Sequence, residues 1–375
     1  MKSSNLPSVT VADFLKIVKM QFEEKNFRPI FGLGKGGIGK TEAIMNLAKN
    51  ELKIGYIDVR LLLYNETDLK GIPYPDEHHI STVWLQNNIL PNEERDGKDG
   101  ILVFDEITSC ARSVRTAAYQ LLNERRLGEY VLPEGWMVVC LGNGEEDGGD
   151  FQGMEGNFAN RCSVFNVVHD LETWKEWALE RKINNLVVAY VSFKPADLHS
   201  FNPDSETEML FASPRSWKAV SDILNIYGYK DDDKILKSRI IGNLGQRVGS
   251  QFIAFCKYQD KTIDPMEILN GKLDFKTDSQ EVVYITISSL IEIVVKMIEE
   301  DYDTIGNISA EHIKMLGNCI KWMISLPKTE WAVMAYKDLL RANPSIMVKT
   351  LMRTEVIKAC PELLTFAKDN RVVFQ

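Results

Sequence analysis

The stretch Gly34-Lys-Gly-Gly-Ile-Gly-Lys-Thr41 decides the fold, because it matches the phosphate-binding loop pattern G-x-x-x-x-G-K-S/T. Its glycines let the backbone curl until successive N–H groups face a phosphate, while Lys40 can reach the terminal phosphates and the Thr41 hydroxyl can reach Mg²⁺. Nucleotide binding is therefore the first hypothesis for the chain. The predicted phosphate-binding residues are Gly34, Gly36, Gly37, Ile38, Gly39, Lys40, Thr41 and Glu42.

The segments on both sides of this loop fit the strand–loop–helix arrangement that the motif requires. Upstream, residues 28–33 read as a short buried strand. Downstream, apolar residues recur at helical spacing: Ala43, Ile44, Leu47 and Ala48. The alternative reading, a glycine-rich turn that matches by chance, predicts neither flank.

Further along the chain, buried strands alternate with helices, which is typical of a parallel sheet covered by helices. A helix is predicted from about Ser113 to Arg126, and a stretch rich in Pro, Asn and Asp before Gly100 reads as a long loop. Helical patterns dominate after about residue 170. The predicted strands after the phosphate loop are residues 54–58, 101–104, 136–141 and 163–168.

Composition limits the class of protein. The chain has 375 residues, of which 45% are hydrophobic and 26% charged, as in ordinary soluble multi-domain proteins. Its six cysteines form no C-x-x-C pair, so neither a zinc ribbon nor a disulfide framework is indicated. The net charge of -9 argues against a broad basic surface for nucleic acid and favours protein partners. No signal-type segment follows Met1, so we expect a cytoplasmic protein.

The most apolar segment, residues 282–298, is compared with a membrane span. Its strongest apolar residues share one helical stripe, and polar residues including Glu292 and Lys296 interrupt the rest. A helix that faces a protein core is therefore favoured, and no membrane segment is predicted.

The apolar strand at 101–104 ends in Asp105 and Glu106. Asp105 can hold Mg²⁺ through its waters, while Glu106 can accept a proton from an attacking water. Strands often end in surface acids, but this pair follows a phosphate loop in the order strand, loop, helix, strand. The pair is therefore the candidate second half of an ATP-hydrolysis site.

Two other polar stretches invite metal readings that the spacing does not support. The loop from Gly142 to Gly156 resembles a calcium loop, but its twelfth position is Met154 where a bidentate Glu is required. His78 and His79 lie in a run of consecutive polar residues that cannot converge on one ion. Both stretches are predicted to be solvated loops.

With these motifs in order, residues 28–220 resemble the MoxR-like branch of the AAA+ ATPases. Residues after about 258 carry no motif of that family. The matching stretches are residues 34–41, 68–73, 101–107 and 124–136, then Leu141-Gly-Asn143, Ala159-Asn-Arg161 and Ser213-Pro-Arg-Ser-Trp217.

The resemblance implies an AAA+ P-loop α/β fold with a parallel sheet of strand order 5-1-4-3-2, a helical lid and a helical C-terminal extension. The expected domains are an α/β nucleotide-binding domain at 1–170, a helical lid at 171–258 and a helical C-terminal domain of unknown role at 259–375. ATP and Mg²⁺ are the implied cofactors, with ATP at the domain junction. The implied assembly is a homo-hexameric ring.

The resemblance also implies roles for four catalytic residues. Glu106 would be the base, and Asn143, at the sensor 1 position, would orient the attacking water beside it. Arg215, in the sensor 2 motif, would touch the γ-phosphate of its own subunit. Arg161 would be the arginine finger that reaches the neighbouring subunit's site, although Cys162 follows it where the family has an aromatic residue. Thr41 and Asp105 are the implied metal residues.

The function implied is ATP-driven, chaperone-like remodelling of a protein partner, often one with a von Willebrand factor A domain in this family. One alternative is an AAA+ motor or loader that acts on nucleic acid, and another is a nucleotide-bound scaffold without turnover. Tyr64, Tyr74 and Trp84 could line the pore of a ring or pack against the sheet edge, and the sequence leaves both readings open.

Overall fold

The computed structural model describes residues 6–85, 88–144, 160–202 and 210–370. The chain divides into two compact units. The first runs to Asp170 and also takes in Asn202, and the second comprises the rest of the chain from Leu171. A division of the second unit into a lid and a C-terminal domain stays a prediction.

A six-stranded parallel sheet forms the centre of the first unit, in the order β1-β10-β2-β9-β6-β3. The five strands from β10 to β3 have the predicted order 5-1-4-3-2, which is confirmed. The short strand β1 is a sixth member that the sequence did not predict. The strands are β1 (Ser8–Thr10), β2 (Ile30–Leu33), β3 (Gly55–Arg60), β4 (Ile72–Pro75), β5 (Thr82–Leu85), β6 (Asp99–Asp105), β7 (Arg126–Leu127), β8 (Tyr130–Val131), β9 (Gly135–Gly142) and β10 (Ser163–Val168).

Helices cover both faces of this sheet, so its central strands read as continuous apolar runs. All four residues of β2 are buried, and so is β9 from Trp136 onward. One face packs against α1 and α2, and the other packs against α5. The helices of the first unit are α1 (Val11–Glu23), α2 (Lys40–Asn46), α3 (Glu66–Lys70), α4 (Glu93–Asp96) and α5 (Arg112–Glu124).

The register of the sheet brings three strand ends to one edge. Leu33 at the end of β2 pairs with Gly142 at the end of β9, and Phe104 near the end of β6 pairs with Cys140. Parallel strands all point their carboxyl ends the same way, so the segments that follow β2, β6 and β9 converge there. This edge carries the phosphate loop, the acidic pair and Asn143.

The stretch before Gly100 is not the long loop that its composition indicated. It contains α3, α4 and an antiparallel hairpin of β4 and β5. The prolines in β4 lack backbone N–H donors and are rare in strands, so the sequence pattern does not predict a strand there. Tyr64 packs against the sheet's core, whereas Tyr74 is exposed on the hairpin.

The second unit is helical, and the described part contains two hydrophobic clusters. One draws on residues between Trp174 and Cys256 together with Ile285, and the other on residues between Ile268 and Phe366. Its helices are α6 (Leu171–Glu180), α7 (Asn185–Phe193), α8 (Pro214–Tyr227), α9 (Lys234–Leu244), α10 (Gln246–Cys256), α11 (Pro265–Leu269), α12 (Gln280–Ile305), α13 (Ala310–Ile324), α14 (Thr329–Arg341), α15 (Pro344–Leu351), α16 (Thr354–Ala359) and α17 (Glu362–Asp369).

The predicted core helix at 282–298 lies within α12, whose buried stripe includes Val283, Ile287 and Leu290. Among the described helices, none combines the length and the apolar character needed to cross a membrane. All six cysteines are buried and free of disulfide bonds.

Candidate nucleotide-binding site

The phosphate loop runs from the end of β2 into the first turn of α2, and its glycines are required by backbone geometry. Gly37 and Gly39 have φ values of 78° and 93°, in the left-handed region that glycine adopts without strain. A Cβ atom on Gly34 would lie 2.2 Å from the carbonyl oxygen of Val167. Only a residue without a side chain fits that close approach.

Lys40 is buried at the start of α2 with 7% of its surface exposed. Its Nζ donates to the carbonyl oxygens of Gly34 over 2.6 Å and of Lys35 over 2.9 Å. The ammonium group therefore sits inside the curl of the loop. The side chain of Ile38 is buried in the core, so only its backbone can face a phosphate, and Glu42 is exposed in the first turn of α2.

Thr41 and Asp105 lie together where α2 begins and β6 ends. The Thr41 hydroxyl donates to Oδ2 of Asp105 over 2.7 Å. A hydroxyl and a carboxylate are hard oxygen ligands, which Mg²⁺ prefers. The chemistry of these two side chains fits a Mg²⁺ ion, which they would hold if it accompanied a bound nucleotide.

Glu106 follows Asp105 in a backbone conformation that is rare for residues with a side chain. Its φ is 57°, and its N–H donates to Oδ1 of Asp105 over 2.8 Å. A left-handed conformation at a residue other than glycine has a cost of roughly 1–2 kcal/mol and is concentrated at functional sites. The turn leaves the Glu106 carboxylate half-buried beside the strand end rather than on the next helix.

Asn143 is held at the end of β9 by Thr108, a residue that belongs to none of the sequence motifs. The Thr108 hydroxyl accepts from the Asn143 N–H over 3.2 Å and donates to the Asn143 carbonyl over 3.3 Å. A Cβ on Gly36 would lie 3.8 Å from Oδ1 of Asn143, so the amide faces the phosphate loop. No sequence motif indicates Thr108, because its hydroxyl bonds the backbone of Asn143 and any residue except proline at position 143 would offer the same backbone groups.

Strand β3 adds a polar row beside Asp105. Arg60 is the register partner of Asp105, and Tyr56, Asp58 and Arg60 alternate onto the same face of the sheet. The Tyr56 hydroxyl donates to the Thr41 carbonyl over 3.5 Å. Burial raises the pKa of Asp58, and the nearby charge of Asp105 raises it further. Arg60 acts in the opposite sense, and Glu106 adds the smallest increase.

Arg161 lies just before β10, on the opposite side of β2 from Asp105. Its side chain is exposed and makes no hydrogen bond or ion pair with any residue that the structure describes. The preceding motif residue Ala159 lies outside the described residues.

Arg215 belongs to the second unit, in the first turn of α8. Ser213 caps this helix and accepts from the Ser216 N–H over 3.3 Å, with Pro214 in the first helical position. Trp217 is fully buried, and its indole N–H donates to the Asp197 carbonyl over 2.9 Å.

The buried carboxylate of Asp197 strengthens this anchor. It accepts from the Tyr190 hydroxyl over 2.7 Å and from the Arg247 guanidinium over 3.0 Å. Burial raises the pKa of Tyr190, and the hydrogen bond to Asp197 raises it further. Arg215 is exposed at the start of a helix whose position is fixed by this network.

The first unit thus brings Lys40, Thr41, Asp105, Glu106 and Asn143 to one edge of the sheet, while Arg161 stands apart on its surface. The strand order, the phosphate loop and the helical second unit are those of the AAA+ P-loop α/β fold.

No protein-family model matches the chain, and no curated protein matches it. Among solved structures, NtrX from Brucella abortus in complex with ADP aligns with 97% of this chain and 68% of its own, at 13% identity and a TM-score of 0.40. A proposed ATPase from Cytophaga hutchinsonii aligns with 81% of this chain and 83% of its own, at 15% identity and a TM-score of 0.34.

Hsp104, in a closed state with ATPγS and casein, aligns with 66% of this chain and 46% of its own, at 17% identity and a TM-score of 0.38. The identities and TM-scores are low, and the assignment of the fold depends on the strand order and the phosphate loop.

Proposed function

We propose that this protein is an AAA+ ATPase of the MoxR-like type, which converts ATP and water to ADP and phosphate and uses the energy to remodel a protein partner in the cytoplasm. The observation that carries the proposal is the meeting of Lys40, the Thr41–Asp105 pair, Glu106 and Asn143 at one edge of a parallel sheet. Each has a polar group that phosphoryl transfer requires.

The loop and its flanking residues bind the nucleotide in this proposal. Mg²⁺ supplies charge neutralisation at the phosphates when it is bound. The N–H groups of the glycines and the Lys40 ammonium hold the phosphates, and Thr41 and Asp105 hold the metal. The hydrogen bond between Thr41 and Asp105 already places both oxygens on one side of the loop.

Glu106 is proposed to take the proton from the attacking water, and Asn143 to orient that water. The left-handed turn at Glu106 and the Thr108 contacts at Asn143 fix the two backbones. A base and an orienting amide held in this way reduce the entropy lost on reaching the transition state. A nucleotide-bound scaffold without turnover would have no use for this arrangement.

The two arginines are proposed to act at different places. Arg161, exposed and without a partner among the described residues, is the finger that enters the site of the neighbouring subunit. A planar cation there can neutralise charge that develops on the transferred phosphoryl group. Arg215 contacts the γ-phosphate within its own subunit. Hydrolysis then requires a ring, and a homo-hexamer is the expected form.

The hairpin of β4 and β5 supports a protein client. Ile72 pairs with Leu85 and Tyr74 with Val83, so these four side chains share one face of the ribbon. They are 64%, 55%, 58% and 40% exposed. Exposed apolar clusters of this kind mark sites of protein interaction. A partner with a von Willebrand factor A domain is the specific expectation, and the net charge of -9 disfavours nucleic acid.

The proposal is tested by measuring the ATPase rate against protein concentration, together with the mass of the assembly with and without ATP. Activity should rise with assembly. Arg161→Ala should assemble without hydrolysis. Glu106→Gln should bind ATP but hydrolyse it at least about 100-fold more slowly than the wild type. Full activity in a monomer would contradict the shared site, and unchanged turnover in Glu106→Gln would remove Glu106 as the base.

Two added probes separate the classes of partner. The rate is measured with a reduced, carboxymethylated model protein and with single-stranded or duplex DNA. Stimulation by the unfolded protein, lost in Tyr74→Ser with the basal rate retained, supports remodelling of proteins. Stimulation by DNA alone would support the motor or loader instead.

A further inference from the structure

Arg28 connects the start of β2 to the segment that carries Arg161. One guanidinium nitrogen of Arg28 donates to the carbonyl oxygens of Asn160 over 2.7 Å and of Cys162 over 3.3 Å. These carbonyls belong to the residues on either side of Arg161. A single cation therefore holds the backbone both before and after the candidate finger.

Two more contacts fix the same short segment. The side chain of Cys162 is buried in the core with 5% exposed, and the Ser163 N–H donates to the Pro29 carbonyl over 2.9 Å. Strand β10 then begins at Ser163, in register with Ile30. The backbone at Arg161 is thus anchored on its C-terminal side by the sheet and bridged from its N-terminal side by Arg28.

This anchoring concerns the backbone alone, because the Arg161 side chain is exposed and has no described partner. An arginine that enters a site on another molecule loses the conformational entropy of its many side-chain rotamers. Freedom in its backbone would increase that loss. Hydrogen bonds between a cation and carbonyl oxygens are among the stronger ones in proteins. The arrangement removes backbone freedom while leaving the guanidinium of Arg161 available.

We propose that Arg28 is a positioning residue for the arginine finger. Arg28 holds the backbone of residues 160–162 so that the Arg161 side chain is presented to the neighbouring subunit. The inference rests on the proposed function, because only the proposed ring gives Arg161 a neighbouring subunit's site to enter. It assigns Arg28 no contact with the nucleotide. The effect of Arg28 is confined to the finger of its own chain, and the following experiment tests that restriction.

The experiment mixes two inactive variants. Lys40→Ala subunits cannot use their own site but carry an intact finger, and Arg161→Ala subunits have an intact site but no finger. In a mixed ring the first kind donates its finger to the second, so the mixture should hydrolyse ATP although neither variant does alone. The mass of the mixed assembly is measured in parallel.

Arg28→Gln is then added to one partner at a time. In the finger donor, together with Lys40→Ala, it should lower the activity of the mixture about tenfold or more, because the donated finger is no longer held. In the recipient, together with Arg161→Ala, it should leave the mixture unchanged, because that chain donates no finger. Arg28→Lys in the donor should restore part of the activity.

Equal losses in donor and recipient, with the assembly intact, would show a general structural role and overturn the inference, as would no loss in either. A loss of assembly in the donor would also overturn it, because Arg28 would then act on ring formation. If the parent mixture of Lys40→Ala and Arg161→Ala shows no activity, the shared site itself is wrong. The two failures are therefore distinguishable.

Discussion

The Thr41 hydroxyl donates a 2.7 Å hydrogen bond to Oδ2 of Asp105, although the two residues are 64 positions apart in the sequence. The bond joins the helix that follows the phosphate loop to the strand that carries the acidic pair. Both oxygens belong to the proposed metal site. Their contact ties the two halves of that site together through groups of the chain itself.

The first prediction concerns this pair. Thr41→Ala removes the hydroxyl and should weaken the binding of ATP in the presence of Mg²⁺ by roughly tenfold, since one oxygen ligand of the proposed metal site is lost. Thr41→Ser keeps the hydroxyl and is the matched control. Titration calorimetry with Mg²⁺ and with EDTA measures both. Equal weakening of Thr41→Ala in Mg²⁺ and in EDTA would place Thr41 outside the metal site.

The second prediction concerns Thr108, which holds Asn143 through its backbone. Thr108→Val keeps the shape but leaves the Asn143 N–H without its acceptor, so kcat should fall by about 10- to 100-fold as the amide shifts. KM for ATP should change little, because Thr108 does not face the phosphates. Thr108→Ser retains the hydroxyl and should stay near the wild-type rate in steady-state assays. A Thr108→Val enzyme with normal kcat would show that Asn143 needs no such support.

The third prediction concerns pH and Asp58. Burial raises its pKa above the ordinary value for an aspartate, so the folded state favours the protonated form more than the unfolded state does. That contribution to stability is present below the unfolded pKa and is lost as the pH rises through the folded pKa. Asp58→Asn stays neutral at every pH. The free energy of unfolding of the variant should therefore rise relative to that of the wild type as the pH increases from about 4 to 7.

Urea unfolding of both proteins across this range measures the difference. The curves should meet at the acid end, where the wild-type side chain is protonated in both states. Two parallel curves would mean that the environment of Asp58 does not disfavour its charge.

The fourth prediction concerns the second unit, where Lys175 on α6 and Asp338 on α14 form a buried ion pair at 2.7 Å. Burial raises the pKa of Asp338, with Lys175 acting in the opposite sense. Lys175→Met should destabilise the unit by about 3 kcal/mol because an unpaired carboxylate stays buried. The double variant Lys175→Met and Asp338→Leu should recover most of this loss.

Urea unfolding followed by tryptophan fluorescence measures the three proteins, since Trp217 and Trp322 report on the second unit. Equal stability of the single and double variants would show that the pair is not the source of the loss.

The five predicted strands were accessible from sequence because apolar residues make up most of each one, and their order came from the family resemblance. Strand β1 was not, because Ser8–Thr10 is short and polar and pairs only at the sheet's edge. The hairpin was missed for a related reason. Pro73 and Pro75 interrupt the donor pattern of β4, and its apolar residues face solvent rather than a core.

The site shows a similar division. The proposed roles of Lys40, Thr41 and Asp105 depend on side chains. Lys40 and Thr41 stand at fixed positions of the phosphate-loop pattern, and Asp105 ends an apolar strand, so all three are visible in the sequence. Thr108 and Arg28 act on the backbone of residues far along the chain, Asn143 in one case and Asn160 and Cys162 in the other. A backbone carbonyl has no sequence signature, so these partners become visible only in three dimensions.

The left-handed turn at Glu106 bears on selection and protein engineering. Glycine at this position would relieve a conformational cost of roughly 1 kcal/mol and stabilise the chain, but it would remove the carboxylate. A search for thermostable variants would select this substitution, and under the proposed role of Glu106 as the base it would remove turnover at the same time. In that proposal the glutamate marks a trade-off in which folding stability is given up for catalysis.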